Sequence, residues 1–450
     1  MWLRIMATLS IVLMLLCLKV EPMKAQEEGI IVKALELSSE FPHGIRFRTD
    51  IESANPITEL SVHFNVIGRR ASRYHRVDMV TGSALQADFM VRTDTLERYI
   101  PPESEISYVL EVRTQGGQRL VTAPRLFRYT DVRFDWQERR DGNLTILYYG
   151  STSSKAQAVL DILRLTLKDM GPVLGVELER PVQVVMYSDA HHMLDAMPLL
   201  SKVLRNQLVT QGQAYAPEGI ILLSADAVQL RGVASHELMH ILMYEASHNP
   251  IYPIPAWLDE GVAEYGNKEP NEGYDIALGA ALRGDYLMPM SHLAIKPGLS
   301  DEIILFYGQS RSFVGFLIET YGFAKLRQIL STIKTGVRTQ IALQEVLGVG
   351  FNQLENQWRE TLGVQAIEHL PLETDELSPK PFPTLMPFTF QSTTPTAEAT
   401  FVEVNTSKIT RPSRIGGFGC GQSPTQGESF DMSAILFMVG MAVLVVRRLR

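Results

Sequence analysis

The sequence sets two histidines around a glutamate in the order His236-Glu237-Leu238-Met239-His240, inside a segment that is otherwise apolar. On an α-helix, positions i and i+4 share a face, so both imidazoles can reach one cation. Glu237 follows the first histidine and projects beside such a cation, where its carboxylate can take a proton from water. Those residue types in that order point to hydrolysis by metal-activated water. The same spacing also suits a helix whose two histidines are held by structural contacts alone.

A catalytic zinc site commonly takes three protein ligands and leaves a fourth position for water. Two histidines on one helix therefore need a third donor from elsewhere. Nineteen residues intervene between His240 and Glu260, which stands in Pro255-Ala256-Trp257-Leu258-Asp259-Glu260-Gly261-Val262-Ala263-Glu264-Tyr265. Asp259 competes with Glu260 for the role. One helical turn beyond Asp259 lies Ala263, whereas one turn beyond Glu260 lies a second carboxylate, Glu264. A metzincin arrangement fails, because Met243 and Ala246 occupy the positions of its glycine and third histidine. His191, His192 and His248 lie off the pattern and read as surface or loop histidines.

His-Glu-x-x-His followed by Trp-Leu-Asp-Glu-Gly-x-Ala-Glu-Tyr resembles the gluzincin clan of zinc metallopeptidases, especially its bacterial peptidase-MA-like families. The resemblance covers residues 134–365 and implies a zincin-like fold, bound Zn2+ and a peptide or protein substrate. It implies His236, His240 and Glu260 as the metal ligands and Glu237 as general base. It also makes Glu264 the residue that orients a zinc-bound histidine from behind. Phe306-Tyr307-Gly308-Gln309-Ser310-Arg311 resembles the tyrosine-bearing helix that follows the third ligand in these families. Tyr307 is thus the candidate for holding the developing oxyanion, with Ser310 and Arg311 as substrate contacts. Gly212-Gln213-Ala214-Tyr215-Ala216 is the candidate sheet edge for an extended peptide. The Gly-x-Met-Glu-Asn element by which clan aminopeptidases grip a free amino terminus is missing, which shifts the expectation from exopeptidase to endopeptidase.

The elements that must position these residues can be read from periodicity. Residues 134–365 have a mixed α and β texture. Residues 144–149, 182–187 and 219–224 read as strands, with an amphipathic helix over 155–170. Helical patterns then cover 225–246, 256–266, 302–321, 323–333 and 352–362. Before them, residues 30–131 alternate apolar and polar positions in short runs separated by Asn55-Pro56, Pro101-Pro102 and Gly116-Gly117. That pattern predicts an antiparallel β-sandwich, immunoglobulin- or fibronectin-like, serving as a spacer or docking module. The expected fold class is therefore α+β: a sandwich over 27–131, then a metallopeptidase domain with a mixed sheet and helices over 132–366.

The ends predict export. A short basic start, an apolar run to Leu18 and a small residue before Gln26-Glu27-Glu28 describe a signal peptide over 1–25. Residues 367–430 are rich in Pro and Thr and read as a flexible stalk. Residues 431–450 hold a short apolar segment closed by Arg447, Arg448 and Arg450, a transmembrane helix oriented with everything before it outside. Gly416-Gly417-Phe418-Gly419-Cys420 before it gives the end a likeness to the three-part sorting signals of bacterial surface proteins. The expectation is an extracytoplasmic protein held to the membrane or cell surface by its C-terminal segment.

Composition excludes other classes. A formal net charge of -8 gives no basis for a nucleic-acid partner. The two cysteines, Cys17 and Cys420, fall in the terminal segments, so neither a disulfide framework nor a thiolate metal site is available between them. A rival reading is a catalytically degenerate zinc-binding surface protein that acts through its β domain. The intact Glu237 argues against it, because a purely structural site has no use for that carboxylate.

Overall fold

A computed structural model describes residues 26–27, 29–198 and 211–368. The signal-peptide, stalk and transmembrane expectations fall on residues outside these, apart from the first two stalk positions. Among the described residues no helix is long and apolar enough to cross a membrane.

The N-terminal region forms one eight-stranded antiparallel sheet: β1 (Gln26–Glu27), β2 (Ile30–Glu40), β3 (Gly44–Val66), β4 (Ser72–Arg76), β5 (Gly82–Arg92), β6 (Ser104–Thr114), β7 (Arg119–Val121) and β8 (Arg125–Tyr129). The sequence predicted a two-sheet sandwich; the structure has instead a single sheet curled into a half-barrel. The cause is β3. Its 23 residues pair with β2 and β5 over the first half and with β4 and β6 over the second. Ile45, Phe47 and Ile51 are buried in the first half, but Leu60, Val62, Phe64 and Val66 in the second. The buried positions thus switch from odd to even numbers. Register shifts between Glu52 and Ile57 against β5, and between Ile57 and Glu59 against β6, accomplish the switch. A strand that slips by one residue reverses its faces, so one strand can line both walls of the curl.

A second sheet follows, with order β12-β13-β11-β10-β9: β9 (Gln137–Asp141), β10 (Leu144–Tyr148), β11 (Val182–Tyr187), β12 (Gly212–Tyr215) and β13 (Ile220–Ser224). β10, β11 and β13 run parallel, and the outer strands β9 and β12 are antiparallel to their neighbours. Every residue of β13 is buried, as a strand covered on both faces requires. Alternation decides which core each side chain enters. Val184, Met186, Ile221 and Leu223 join the helical core, whereas Val185, Tyr187, Ile220 and Leu222 join the core of the half-barrel. Tyr99 also donates to the Ala196 carbonyl at 2.7 Å, and Tyr187 to Asp131 at 2.9 Å. The half-barrel is therefore packed on the back of the second sheet through a shared core.

Helices cover the other face: α1 (Ser153–Leu174), α3 (Leu230–Ser247), α4 (Ala256–Gly266), α5 (Glu272–Gly284), α6 (Ser300–Lys334), α7 (Thr339–Leu347) and α8 (Phe351–Thr361), while α2 (Ala190–Ala196) buries Met193 and Ala196 on the half-barrel side. The expected break between residues 321 and 323 is real: Gly322 interrupts α6 with φ 83° and ψ 162°, a conformation open chiefly to glycine. α2, α5 and α7 had no counterpart in the periodicity reading. In α5 only Ala281 is fully buried; Tyr274, Ala277 and Leu278 share its face and are partly covered.

Candidate metal centre

α3 is buried nearly all round. Leu238, Met239, Leu242 and Met243 are each fully covered, which explains its apolar sequence and fixes its rotation. That rotation points His236 and His240 the same way, with their Nε2 atoms 3.1 Å apart and their rings at 85°.

α4 brings in the third donor. Trp257, on its first turn, is buried against Phe313 and Phe351 and anchors it. Gly261 lets it approach α6, since a Cβ there would lie 2.5 Å from the Ser310 carbonyl oxygen. Glu260 is consequently held with Oε2 at 3.3 Å from His236 Nε2 and 3.6 Å from His240 Nε2. The three side chains offer ligand atoms all within 4.8 Å of one another.

The other ring nitrogens face carboxylates. Glu264 Oε1 lies 2.7 Å from His236 Nδ1, and Asp259 Oδ2 lies 3.2 Å from His240 Nδ1. Each carboxylate favours the tautomer protonated at Nδ1 and leaves the Nε2 lone pair turned to the centre. Asp259, the sequence-level competitor of Glu260, thus lies against the back of a histidine ring.

This arrangement fits a zinc ion. Donors about 2.0–2.1 Å from a tetrahedral centre are separated by about 3.3 Å, close to the 3.1, 3.3 and 3.6 Å found here. Glu260 Oε2 is buried without a hydrogen bond, a costly state unless a cation meets it. Burial opposes the charge on His236, yet the Glu260 and Glu264 carboxylates outweigh it and raise that pKa well above the usual range. The centre calls for positive charge.

Glu237 lines the same cavity, of about 440 Å³, with His236, Glu260, Tyr274, Lys296 and Tyr307. Burial raises the pKa of its carboxyl, with the two histidines acting the other way. β12 passes directly over it. The Ala214 backbone favours the charged form of the Glu237 carboxylate, and a Cβ on Gly212 would come within 2.9 Å of Glu237 Cγ. Among the described residues β12 pairs only with β13, so its outer edge borders the centre. A second cavity, of about 920 Å³, reaches His240, Asp259 and Glu260 from the other side. Its walls include Gly68-Arg69-Arg70 of the half-barrel, fixed there by the Arg69–Glu218 ion pair.

Tyr307, on α6, stacks on Tyr274 of α5 at 5.0 Å and stands edge-on to His236 at 6.1 Å. Burial, with Glu260 nearby, pushes its pKa up to about 12. Ser310 is fully buried and Arg311 pairs with Asp275 at 3.2 Å; neither lines the cavity that holds Glu237. His248 caps α3 and stacks on Tyr244 at 4.3 Å, while His191 and His192 sit on α2. Lys296 was not foreseen. Its Nζ lies 2.8 Å from Glu260 Oε1 and donates to the Tyr307 hydroxyl at 2.8 Å. A single lysine between Ile295 and Pro297 carries no spacing signal that could have marked it.

Residues 163–364 match the model of the Peptidase MA superfamily. No curated protein matches the sequence. A glutamate-to-alanine mutant of an M1 zinc metallopeptidase from Deinococcus radiodurans, crystallised with a Tyr-Ser-Ala substrate, is 13% identical. That match covers 76% of this chain and 96% of the other, with a TM-score of 0.33. Wild-type OgpA from Akkermansia muciniphila is 15% identical over 24% of this chain, with a TM-score of 0.19. The match spans only 32% of the OgpA chain. Over residues 163–364, then, this chain is similar to the Peptidase MA superfamily.

Proposed function

We propose that this protein is a zinc-dependent peptidase, acting as an endopeptidase on peptides or proteins outside the cytoplasm. The observation that carries the proposal is the convergence of His236 Nε2, His240 Nε2 and Glu260 Oε2, with Glu237 in the same cavity beneath a sheet edge. His236, His240 and Glu260 would hold the ion. Bound there, zinc would supply Lewis acidity toward water and the scissile carbonyl.

The chain's own residues do the rest. Glu237 removes the proton of the attacking water and later delivers it to the leaving amine. Its raised pKa suits the exchange, because a base that must also release its proton works best nearer to neutrality. Tyr307 donates to the oxyanion as it develops. Glu264 and Asp259 keep both imidazoles in place. The outer edge of β12 pairs with an extended peptide. Cavities on both sides of Glu260 leave room for chain before and after the scissile bond, which favours internal cleavage. The chain is exported and held to the membrane or cell surface by its C-terminal segment, as the terminal sequences suggest.

The test is Glu237→Gln in the zinc-loaded protein. Zinc content should stay at one per chain while casein hydrolysis disappears, because the change removes a base and no ligand. A mutant with most of its activity left would overturn this mechanism.

A further inference from the structure

We infer that Lys296 is a positioning residue for the peptidase centre, a reading that rests on the function proposed above. Its ammonium occupies one oxygen of Glu260 and directs the Tyr307 proton into the cleft.

The argument begins with donors and acceptors. An ammonium has three N–H donors and no lone pair, so both 2.8 Å contacts of Lys296 run outward from nitrogen. At Glu260 the contact falls on Oε1. Oε2 keeps no hydrogen bond and faces the two Nε2 atoms. Lys296 therefore separates the functions of the two oxygens, and Glu260 offers the centre a single one.

At Tyr307 the consequence is directional. A phenol has one proton and can both donate and accept. Because its oxygen accepts from Lys296, its proton must be donated elsewhere, and the hydroxyl belongs to a residue lining the cavity with Glu237. Stacking on Tyr274 at 5.0 Å holds the ring in place. The lysine thus leaves Tyr307 ready to donate to an acceptor in the cleft, which an oxyanion requires.

Lys296 is 44% exposed in its side chain. It follows the short 3-10 turn His292–Ala294, whose Leu293 is fully buried in the helical core, and its ammonium lies 5.1 Å from the centre of the Tyr307 ring. Four carboxylates, those of Glu237, Asp259, Glu260 and Glu264, surround the histidines. Without the lysine, Glu260 would be free to turn both oxygens inward.

The experiment compares wild type, Lys296→Met and Lys296→Arg, each loaded with zinc for kinetics and with cobalt(II) for spectroscopy. The kinetic substrate is a quenched-fluorescent peptide taken from a casein cleavage site. Lys296→Met should lower kcat by about ten- to a hundred-fold, the usual cost of losing a partner that orients a metal ligand. KM should change by less than about threefold, since the lost contact matters in the transition state. One metal should still bind per chain. The visible cobalt band should weaken, because a Glu260 that turns both oxygens inward raises the coordination number. Lys296→Arg, which keeps the charge and the donors, should recover part of both signals.

Wild-type kcat and an unchanged cobalt spectrum in Lys296→Met would overturn the inference. So would a rise in KM alone, which would mark Lys296 as a substrate contact. Failure of the underlying peptidase reading would look different: wild type would bind no zinc, or Glu237→Gln would retain activity. A melting curve for each variant separates loss of folding, and Lys296→Arg keeps the inference falsifiable if Lys296→Met unfolds.

Discussion

His240 Nδ1 lies 3.2 Å from Asp259 Oδ2, so the residue adjacent to the third candidate ligand braces a histidine from outside the centre. The two neighbouring acids, Asp259 and Glu260, therefore have separable effects. Asp259→Asn should keep the zinc stoichiometry and weaken zinc affinity about ten- to a hundred-fold. Glu260→Ala should lower the bound zinc itself. Titration against a competing chelator distinguishes them, and the reverse ranking would assign the ligand to Asp259.

Gly212 offers a way to disturb the base without touching a ligand. An alanine Cβ there would lie 2.6 Å from Val233 Cγ1 and 2.9 Å from Glu237 Cγ. Val233 is β-branched and stiff, so β12 or Glu237 must move. A misplacement of about 1 Å can cost about a hundred-fold in rate. Gly212→Ala should lower kcat at least tenfold while metal analysis still finds one zinc per chain. Full activity would show that the strand yields freely.

Tyr307→Phe keeps the ring and its stacking on Tyr274. If the hydroxyl meets the oxyanion, kcat should fall about a hundred- to a thousand-fold with KM nearly unchanged. Zinc content and the melting temperature should stay near wild type. Turnover within about threefold of wild type, well short of the donor-loss range, would remove Tyr307 from the mechanism.

Glu103 gives a prediction about stability that is independent of the centre. It is 6% exposed and adopts φ 69°, and Arg128 Nη1 lies 3.7 Å from its carboxylate. Burial outweighs the arginine and raises the pKa from 4.5 to about 7. A carboxyl with a raised folded pKa holds its proton more tightly in the folded state. Its contribution to stability is fully present below pH 4.5 and is lost as pH rises through 7. Glu103→Gln removes the charge at similar size. It should exceed wild type by roughly 1–3 kcal/mol at pH 8, and the gap should close toward pH 4.5. Denaturant melts at the two pH values measure it, and a pH-independent difference would refute the assignment.

Local rules made the centre's donors legible. The i, i+4 histidines, the glutamate between them and the acidic pair beginning at Asp259 lie on two helices, and helical spacing alone places them on defined faces. The helix break at Gly322 was readable for the same reason, since a single residue's backbone preference sets it. Tertiary structure decided what depends on contacts between distant segments. Asp259 meets His240 because packing rotates α4 against α3, and Lys296 meets Glu260 and Tyr307 across a loop with no periodicity of its own. The half-barrel was misread as two sheets because alternation within each half of β3 is regular. Only the pairing partners of β3 show that one strand changes faces and serves both walls. Hydrophobic alternation reports that a strand has a buried side; which surface buries it is settled by the folded chain.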